Sequence, residues 1–577
     1  MSFLIAARWS AITLVLVGLT ANVAAYPLLD PDEGRNAEIA REMAESGDIV
    51  LPRLNGLPYP DKPVLHFAAT AAALRLFGAS EFAARLPSLV FTLGTVALVA
   101  WFGRRLFGSP GAWIAAVAMG TTPLTLGFAR TVIFDATLTF FVVVALVAFY
   151  EATDRRTAGP TDADAGSGSP ARRPAGEAGD GWSWTVLAWA AIGCAILTKG
   201  PIGLALPLMI AAPYAAWRRA NAAVWTPVGP LACASLVLPW IIAIERQVPD
   251  LVEYAIVTET LQRLMTDRLQ RTGPWWYFVP ILLAGTLPWS AAVAAGWRSA
   301  RPLRSPSGTR DHRTVFLLLW VLVPLVFFTL SQSKRPQYML PMVPAVGLLA
   351  ARVWIAGAVP GAWLAGLVIV AVGAAIAAAP AILPAALDLS SGIAATVPRT
   401  AVALGGVTVA AGALVWLLRS RAPAALAVLA LPVAAIPFAS RQLMTEIGRE
   451  RSAAAIAEVV APVLDPASTV VAIRAFPLSL PFYLRRTILL ATDSGRELTS
   501  TYLTERAHRW RNVPGTTLRP ADWWRDALDD CRARVFVTRT DDRVTRAVLE
   551  SRLPLLIETR KYAAYGPCGT APLAAGA

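Results

Sequence analysis

The stretch TVIFDATLTFFVVVALVAFY, residues 131–150, is a mostly apolar run that contains a single charged residue. About twenty such residues in a helix reach about 30 Å, which is the thickness of the hydrocarbon core of a bilayer. The stretch therefore predicts a membrane-spanning helix. Its charged residue, Asp135, lies at the start of that helix, where an ionisable side chain is costly and is a functional candidate by default.

The composition of the whole chain supports the same class of protein. Of 577 residues, 56% are hydrophobic and only 16% are charged, and the mean hydropathy is +0.53. Soluble domains carry about a quarter charged residues, so disorder, a coiled coil and a small disulfide scaffold are all excluded. The net charge of +14 comes from basic residues between apolar segments, which indicates membrane orientation rather than nucleic-acid binding.

Counting apolar segments of bilayer length predicts about thirteen membrane helices in a domain that covers residues 1–440. They are 10–28, 82–103, 112–129, 131–150, 183–198, 201–217, 225–243, 276–297, 314–331, 337–356, 361–383, 400–418 and 422–440. The first segment follows Arg8 and has no convincing small-residue cleavage site, so we expect an uncleaved helix. Arginines cluster on alternate connections, which places the N-terminus in the cytoplasm and the tail outside.

Three regions between and after these segments differ from simple connectors. The first outer loop, 29–81, is long and charged, and we expect juxtamembrane helices in it. Residues 157–181 are rich in Gly, Pro, Ala and Asp, which predicts a disordered cytoplasmic linker. The tail, 441–577, contains the buried-strand patterns 468–473, 487–491 and 533–539 with helical stretches between them, which predicts a small α/β domain.

Cysteine and histidine are too scarce for most metal centres. The chain has four cysteines and three histidines, without a Cys-x-x-Cys motif or a paired histidine, so we expect no metal site. Cys531 and Cys568 fall in the outer tail, an oxidising compartment, and are candidates for a disulfide.

Lysine is the informative basic residue, because only four of the 52 basic residues are lysines. Lys62, Lys199 and Lys334 fall in predicted outer loops or at outer helix ends. A compact ammonium suits a phosphate group as a point charge. The alternative is that these lysines anchor helix ends at the membrane interface, and composition alone leaves both interpretations open.

Acidic residues in the outer regions also have two interpretations. Asp32 precedes an amphipathic helical pattern that stops near Gly47, so it could be the N-cap of that helix. Capping alone does not explain why carboxylates and basic groups crowd one loop beside a membrane. Asp135 could be a catalytic group, or it could form a salt bridge with Arg130 that orients two helices.

The order of several motifs resembles the lipid-linked sugar transferase superfamily of GT-C type. The motifs are DPDEGRNAEIAREM, SGD, PRLNGLPYPDKP, FGASEFAARLPS, RTVIFDATLTFF, LTKGPIG, ETLQRLMTDR, GPWWYFVP and SKRPQYMLP. Within the superfamily, the sequence is most similar to the family that transfers 4-amino-4-deoxy-L-arabinose to lipid A phosphates, and the protein O-mannosyltransferases are broader relatives. The resemblance is densest over 26–92 and weakens beyond about residue 350.

The resemblance implies a fold, a location and a set of partners. The fold is a polytopic α-helical membrane domain with a C-terminal extracytoplasmic α/β domain, in the bacterial inner membrane. The donor is a sugar on undecaprenyl phosphate, and the acceptor is lipid A or another membrane acceptor. Neither a nucleotide site nor any cofactor is then required, although a divalent cation beside the carboxylates stays open.

The resemblance also assigns roles to individual residues. Asp32, Asp135 and Lys62 match the catalytic positions of the family. The substrate-binding positions are Glu33, Arg35, Asp61, Lys199, Arg263, Lys334 and Tyr338. The reaction implied is a single displacement with inversion at the anomeric carbon, in which Lys62 and Arg263 stabilise the departing polyprenyl phosphate and Tyr338 donates a hydrogen bond.

Two departures from the family pattern concern the donor sugar. The motif arginine is often followed by Tyr, where this chain has Asn36, and the motif Lys-Pro is usually followed by a second proline, where this chain has Val64. The alternatives are therefore a mannose or other hexose transferred from a polyprenyl phosphate to a glycan, lipid or protein. A transporter and a structural scaffold belong to other classes, and the absence of an inverted repeat disfavours the transporter.

Overall fold

The structure is a computed structural model that describes residues 2–157, 181–249, 251–254, 273–298, 311–386 and 389–568. Nearly all of the predicted linker, 157–181, and the predicted site residue Arg263 lie outside these described residues. The described chain is mostly helical, with one six-stranded sheet and one two-stranded sheet.

The chain divides into two compact units. The first, called here the helical unit, comprises Met1–Asn22, Ser88–Arg246 and Val252–Ser440. The second, called here the loop–tail unit, comprises Val23–Pro87, Gln247–Leu251 and Arg441–Ala577. The first outer loop therefore belongs to the same compact unit as the C-terminal tail, although about 350 residues separate them along the chain.

Eighteen α-helices precede the tail, with a 3-10 segment, Pro336–Met342, between the fourteenth and fifteenth. In chain order, α1 to α9 are Ser2–Thr20, Asp32–Ser46, Leu65–Phe77, Glu81–Gly120, Pro123–Ala129, Phe134–Thr157, Trp182–Lys199, Ile202–Trp217 and Ala222–Trp225. Then α10 to α18 are Val228–Gln247, Leu251–Glu253, Phe278–Gly285, Trp289–Gly296, His312–Leu330, Val343–Ala386, Ser391–Leu417, Ala422–Leu429 and Leu431–Ala439. This number refers to the described residues only.

The lengths and compositions of these helices confirm a polytopic membrane protein. Within the described part of the chain, eight helices are long and apolar enough to span a membrane, or nine if the pair α12 and α13, bent by 94°, is one span. The predicted total of thirteen stays a prediction. The predicted bounds 10–28 of the first segment are wrong, because α1 ends at Thr20, before the proline at position 27 that would interrupt it.

Glycines allow several helices to approach closely. Helix α4 turns back at Gly108, whose φ of 75° is left-handed, and an added Cβ at Gly103 would lie 2.6 Å from the carbonyl oxygen of Gly111. Between α15 and α16, a Cβ at Gly366 would lie 2.9 Å from the carbonyl oxygen of Gly412. Small residues that permit such backbone contact are typical of helix packing in membranes.

In the loop–tail unit, the first outer loop contains two helices and a short hairpin. Helix α2 carries Asp32 and Glu33 in its first turn, where they favour the helix dipole, and it ends at Gly47 in the left-handed conformation. Strands β1 (Arg53–Leu54) and β2 (Leu57–Pro58) pair antiparallel around the turn Asn55–Gly56. Helix α3 follows, which confirms that this loop contains helices.

The tail is the predicted α/β domain. Its helices α19 to α24 are Arg441–Arg451, Ala454–Val460, Leu480–Leu484, Thr501–Arg511, Trp523–Ala527 and Arg543–Glu550. Its strands β3 to β8 are Thr469–Ile473, Leu489–Ala491, Leu518–Arg519, Arg534–Arg539, Leu555–Glu558 and Tyr562–Tyr565. The sheet has the order β5-β4-β3-β6-β8-β7, and β3 to β6 are parallel. The three predicted strands are confirmed.

The centre of the tail sheet is buried on both faces. Val471, Ile473 and Phe536 are fully buried and pack with Trp524 in one apolar cluster. A parallel strand covered on both faces has a continuous apolar sequence, which explains the patterns at 468–473 and 533–539. Beside this cluster Cys531 and Cys568 form a disulfide.

Candidate functional site

In the helical unit, a buried ion pair joins the ends of two apolar helices. Helix α6 begins at Phe134 and α7 ends at Lys199, and Lys199 Nζ lies 2.5 Å from Asp135 Oδ1, with side chains 16% and 4% exposed. Arg130 instead donates to the carbonyl oxygens of Gly18 and Ala21, at 3.2 and 2.6 Å. The partner of Asp135 is therefore Lys199 rather than the alternative, Arg130.

An aromatic ring lies beside the Lys199 ammonium. Its Nζ lies 5.2 Å from the centroid of the Tyr338 ring, within the range of a cation–π interaction. Tyr338 in turn stacks on Phe278 with a centroid distance of 6.2 Å, and its hydroxyl lies 3.5 Å from Ser333 Oγ. The structure thus brings together three of the predicted residues, Asp135, Lys199 and Tyr338.

Lys334 has a contact that fits the alternative interpretation of the lysines. Its Nζ donates to the carbonyl oxygens of Phe328 and Thr329, at 3.3 and 2.6 Å. These carbonyls belong to the last turn of α14, where a cation satisfies unpaired acceptors and favours the helix dipole. Lys334 therefore anchors a helix end, and its predicted role in substrate binding stays a prediction.

In the loop–tail unit, Asp32 and Arg35 form a second acid–base pair. Arg35 Nη2 donates to Asp32 Oδ1 at 2.5 Å, and the side chains are 12% and 41% exposed. Asp32 is the first residue of α2, and Pro31 occupies the N-cap position. Arg35 Nη1 also donates to Thr499 Oγ1 of the tail at 2.8 Å, and its guanidinium lies 5.9 Å from the Tyr59 ring. The Asp32 carboxylate thus remains accessible, whereas Arg35 is held in place by Thr499 and Tyr59.

Glu33 makes a structural ion pair. Both of its oxygens accept from the Arg85 guanidinium, at 2.9 and 2.8 Å, and the Arg85 side chain is fully buried. Arg85 also donates to the carbonyl oxygens of Val23, Tyr26 and Pro27. This arginine therefore connects the chain before α2 to the start of that helix. Its partner, the Glu33 carboxylate, is the group for which the sequence predicted a contact with substrate.

The buried face of α2 contains a second carboxylate network. Arg41 binds both oxygens of Glu38, at 2.7 and 2.6 Å, and it reaches Glu45 at 2.6 Å. Burial raises the pKa of Glu38 well above its usual value and raises the pKa of Glu42 as well. These groups stabilise the helix that carries Asp32 and Arg35.

Asp61 and Lys62 follow the hairpin. Asp61 is buried, and its two oxygens accept from the backbone N–H groups of Thr501 and Tyr502, both at 3.2 Å. These N–H groups lie in the first turn of α22, so Asp61 caps a tail helix together with Ser500. Lys62 Nζ donates to the Asp61 carbonyl oxygen at 2.5 Å. This contact keeps the ammonium beside the loop.

The sequence did not predict a role for two residues of this unit that make several buried contacts. Arg85 is one, and a lone arginine in the apolar segment FAARLPS would have signalled it. Asn55 is the other: its amide donates to the Ile488 carbonyl at 2.7 Å and accepts from the Ile488 N–H at 2.8 Å. The Asn-Gly dipeptide is a strong hairpin signal, although it does not reveal that the turn binds the tail.

Each unit thus contains one group of the predicted residues. The helical unit contains Asp135, Lys199, Lys334 and Tyr338, and the loop–tail unit contains Asp32, Glu33, Arg35, Asp61 and Lys62. Among the described residues, no group of three or more His, Cys, Asp or Glu side chains could hold a metal ion. The arrangement offers carboxylates and cations, and the cations suit the binding of an anionic group.

Comparison with known proteins identifies related chains. The family model of dolichyl-phosphate-mannose-protein mannosyltransferases matches residues 10–255. An undecaprenyl phosphate-alpha-4-amino-4-deoxy-L-arabinose arabinosyl transferase of Aeromonas hydrophila is 33% identical over 333 residues, 56% of each chain. A protein of the same name from Pseudomonas fluorescens is 32% identical over 355 residues, 59% of each chain. The aligned region thus spans little more than half of these relatives.

Similarity of the fold extends over almost the whole chain. The crystal structure of ArnT from Cupriavidus metallidurans bound to undecaprenyl phosphate matches with a TM-score of 0.81 and 25% identity, covering 97% of this chain and 98% of that one. The apo state of the same protein matches with a TM-score of 0.77. The chain thus shares its fold from end to end with this lipid-bound ArnT structure, and its residues 10–255 match the mannosyltransferase family model.

Proposed function

We propose that this protein transfers 4-amino-4-deoxy-L-arabinose from undecaprenyl phosphate to a lipid A phosphate. The observation that carries the proposal is the match of the whole fold to ArnT bound to undecaprenyl phosphate. The curated relatives named arabinosyl transferases support the sugar. A buried carboxylate–ammonium pair in the helical unit and an accessible carboxylate–guanidinium pair in the loop–tail unit supply suitable chemistry.

The reaction is a single displacement at the anomeric carbon. A phosphate oxygen of the acceptor attacks this carbon as its bond to the donor phosphate oxygen breaks, and the electron pair of that bond stays on the undecaprenyl phosphate. The acceptor phosphate is already ionised near neutral pH, so no strong base is required. Catalysis then rests on stabilising the charge of the leaving group and on orienting the sugar.

Accessible groups in the loop–tail unit have the direct roles. Lys62 neutralises the charge on the departing phosphate. Arg263, which the sequence resemblance also assigns to this role, lies outside the loop–tail unit and outside the described residues. The Asp32 carboxylate, 41% exposed, orients the sugar or stabilises positive charge at the anomeric carbon. Arg35 holds Asp32 at 2.5 Å, which reduces the freedom of that carboxylate.

The groups of the helical unit have a supporting role. Asp135 holds the Lys199 ammonium, 5.2 Å from the centroid of Tyr338, and the Tyr338 hydroxyl donates to a donor oxygen. A pair at the ends of two apolar helices, one of which is long enough to span a membrane, is consistent with a reaction at one membrane surface. We place that surface on the periplasmic side of the inner membrane, with the N-terminus in the cytoplasm, because the short-loop arginines follow the positive-inside rule. No cofactor is required, and a divalent cation stays open.

The decisive experiment is a lipid A mass spectrum. The host strain lacks its own aminoarabinose transferase but still makes the lipid-linked donor, and it carries the wild-type gene, the variants Asp32→Ala and Lys62→Ala, or no gene. We expect a mass increase of one amino-pentose with the wild type only, together with lower polymyxin sensitivity, since the amine reduces the negative charge of lipid A. An unchanged spectrum with verified expression would contradict the proposal.

A second candidate is transfer of mannose or another hexose from a polyprenyl phosphate. The match of residues 10–255 to the mannosyltransferase family favours it, as do the sequence departures Asn36 and Val64. Purified enzyme given undecaprenyl phosphate carrying each sugar, with lipid A, a glycan or a protein as acceptor, separates the two candidates. Transfer of the hexose but not of the amino-pentose would select the second.

A further inference from the structure

Asp30 lies just before α2 and is not among the residues assigned to the reaction. Its backbone N–H donates to the Arg451 carbonyl at 2.7 Å, and its Oδ2 accepts from Ser479 Oγ at 3.0 Å. Ser479 Oγ accepts in turn from the Ala453 N–H at 2.9 Å. Among the described residues, no hydrogen-bond partner reaches the buried Oδ1. Asp30 thus joins the first outer loop to two points of the tail, Arg451 and Ser479.

These contacts lie at one particular edge of the tail sheet. Strand β3 lies between β4 and β6. The connection after β3 therefore leads to a strand on one side of it, and a later connection leads to β6 on its other side. The carboxyl ends of such a strand pair form the crevice in which α/β sheets usually bind ligands. Ser479 follows β3, and Tyr562, at the start of β8, pairs with Arg539 at the end of β6.

Charges around Asp30 agree with this position. Burial raises the pKa of Asp30 to about 7, while hydrogen bonds from Ser479 and the charges of Lys561 and Arg35 lower it. The same proximity of Asp30 raises the pKa of Tyr562 in addition to burial. Asp30 therefore lies close enough to the start of β8 for its charge to act on Tyr562 and for the charge of Lys561 to act on Asp30.

The first turn of α2 packs directly on this contact. A Cβ added to Gly34 would lie 2.0 Å from Asp30 Oδ1 and 2.7 Å from the Ser479 backbone nitrogen. A glycine is thus required between Asp32 and Arg35 for the helix to approach Asp30 and Ser479. The position of the Asp30 carboxylate consequently determines where this turn of α2 lies.

We propose that Asp30 is a positioning residue that fixes the Asp32–Arg35 pair by binding the first outer loop into the ligand crevice of the tail sheet. The proposal rests on the proposed function for its effect on turnover but not for the contact itself. It assigns the tail domain a role as the scaffold of the outer loop.

The contact is tested by hydrogen–deuterium exchange on the full-length protein in detergent. The variants are Asp30→Ala, Ser479→Ala and the double variant, with Asp529→Ala as a matched control, since Asp529 is an 82% exposed tail carboxylate. We expect faster exchange of residues 28–36 in both single variants and no further increase in the double variant. Exchange in β3 and β6 should be unchanged in these variants, and the control should exchange like the wild type. Wild-type exchange in the single variants, or additive effects, would overturn the proposal.

Turnover of the same variants tests the positioning role. We expect kcat to fall by about tenfold to a hundredfold in Asp30→Ala with KM for donor and acceptor little changed, because displaced groups affect the transition state most. Asp30→Asn should recover most of the activity, since its amide oxygen accepts from Ser479. A rise in KM alone, or failure of Asp30→Asn to recover, would overturn the role. An inactive wild type would refute the proposed function and leave the exchange result to decide on the contact.

Discussion

The two acid–base pairs of this protein differ in their exposure to solvent and therefore in what they can do. Asp135 and Lys199 are 4% and 16% exposed, whereas Asp32 is 41% exposed beside an Arg35 that is 12% exposed. Breaking a buried pair leaves an uncompensated charge, which costs far more than losing an exposed pair. The buried pair should thus affect folding and activity together, whereas the exposed pair should affect activity alone.

The largest expected effect separates activity from stability at the exposed pair. Asp32→Asn should lower the transfer rate by about a hundredfold to a thousandfold, by analogy with the loss of one preorganised charged or polar group. The thermal unfolding temperature should not change. Glu45→Gln, on the same helix and 58% exposed, is the control and should keep full activity. Measured transfer near the wild-type rate would remove Asp32 from the mechanism.

The buried pair is expected to respond differently. Asp135→Ala should lower the free energy of unfolding by about 3–5 kcal/mol, because the Lys199 ammonium is left buried without its partner. The double variant Asp135→Leu with Lys199→Met should regain most of that stability and stay inactive, as measured by thermal unfolding and by sugar transfer. A stable and active double variant would reduce the pair to a structural role.

Lys62 tests whether a single cation in the loop–tail unit supports departure of the phosphate. Lys62→Ala should raise the barrier by about 3 kcal/mol, comparable to the loss of one oxyanion donor, and should leave expression intact. Single-turnover rates with the lipid-linked donor measure this effect. Arg449→Ala, which removes a tail cation that is 66% exposed, distinguishes a specific role from a general loss of positive charge.

Substitution of Asp61 should have a smaller effect on stability, because it removes an N-cap of α22. Asp61→Ala should cost about 1–2 kcal/mol of stability, the usual value of an N-cap. Ser500 accepts from the Leu503 N–H at the same helix start, so Ser500→Ala is the matched comparison. If Asp61 only caps the helix, the two variants lose activity equally, and a much larger loss in Asp61→Ala would indicate direct contact with substrate.

A further expected effect is a pH dependence of stability. The pKa of Asp30 rises from 3.8 to about 7 in the folded protein, so the folded state binds its proton more tightly. That stabilisation is complete below pH 4 and is lost as the pH rises to about 7. The thermal unfolding temperature of the wild type should therefore fall relative to that of Asp30→Asn as the pH rises over this interval. Parallel curves of unfolding temperature against pH would contradict the assignment.

Local patterns predicted a large part of the fold. Apolar runs of bilayer length predicted the spans, because lipid requires a helix to satisfy its own backbone and to present apolar side chains. Runs rich in β-branched and aromatic residues at 468–473 and 533–539 predicted buried strands, because a strand covered on both faces needs apolar side chains on both. The helix over the motif beginning at Asp32 and its end near Gly47 were also predicted, since a left-handed glycine is a local signal.

The roles of individual site residues could not be predicted, because they depend on contacts between residues that are far apart along the chain. Nothing near Asp61 indicates that its oxygens cap a helix 440 residues later, and nothing near Lys334 distinguishes a substrate cation from one that binds carbonyls of α14. Asp135 could equally have paired with Arg130, five residues away, and only the packing of α6 beside α7 selected Lys199.

By itself, then, the sequence determined the membrane class and the α/β tail, and it indicated a resemblance to the lipid-linked sugar transferases, because periodicity and ordered motifs are properties of consecutive residues. Only the tertiary structure decided that the first outer loop and the tail form one unit, and that Asp30, Asn55 and Asp61 are bound by tail atoms. Such contacts depend on three-dimensional proximity between distant segments, and a buried carboxylate takes its role from the partner that satisfies it.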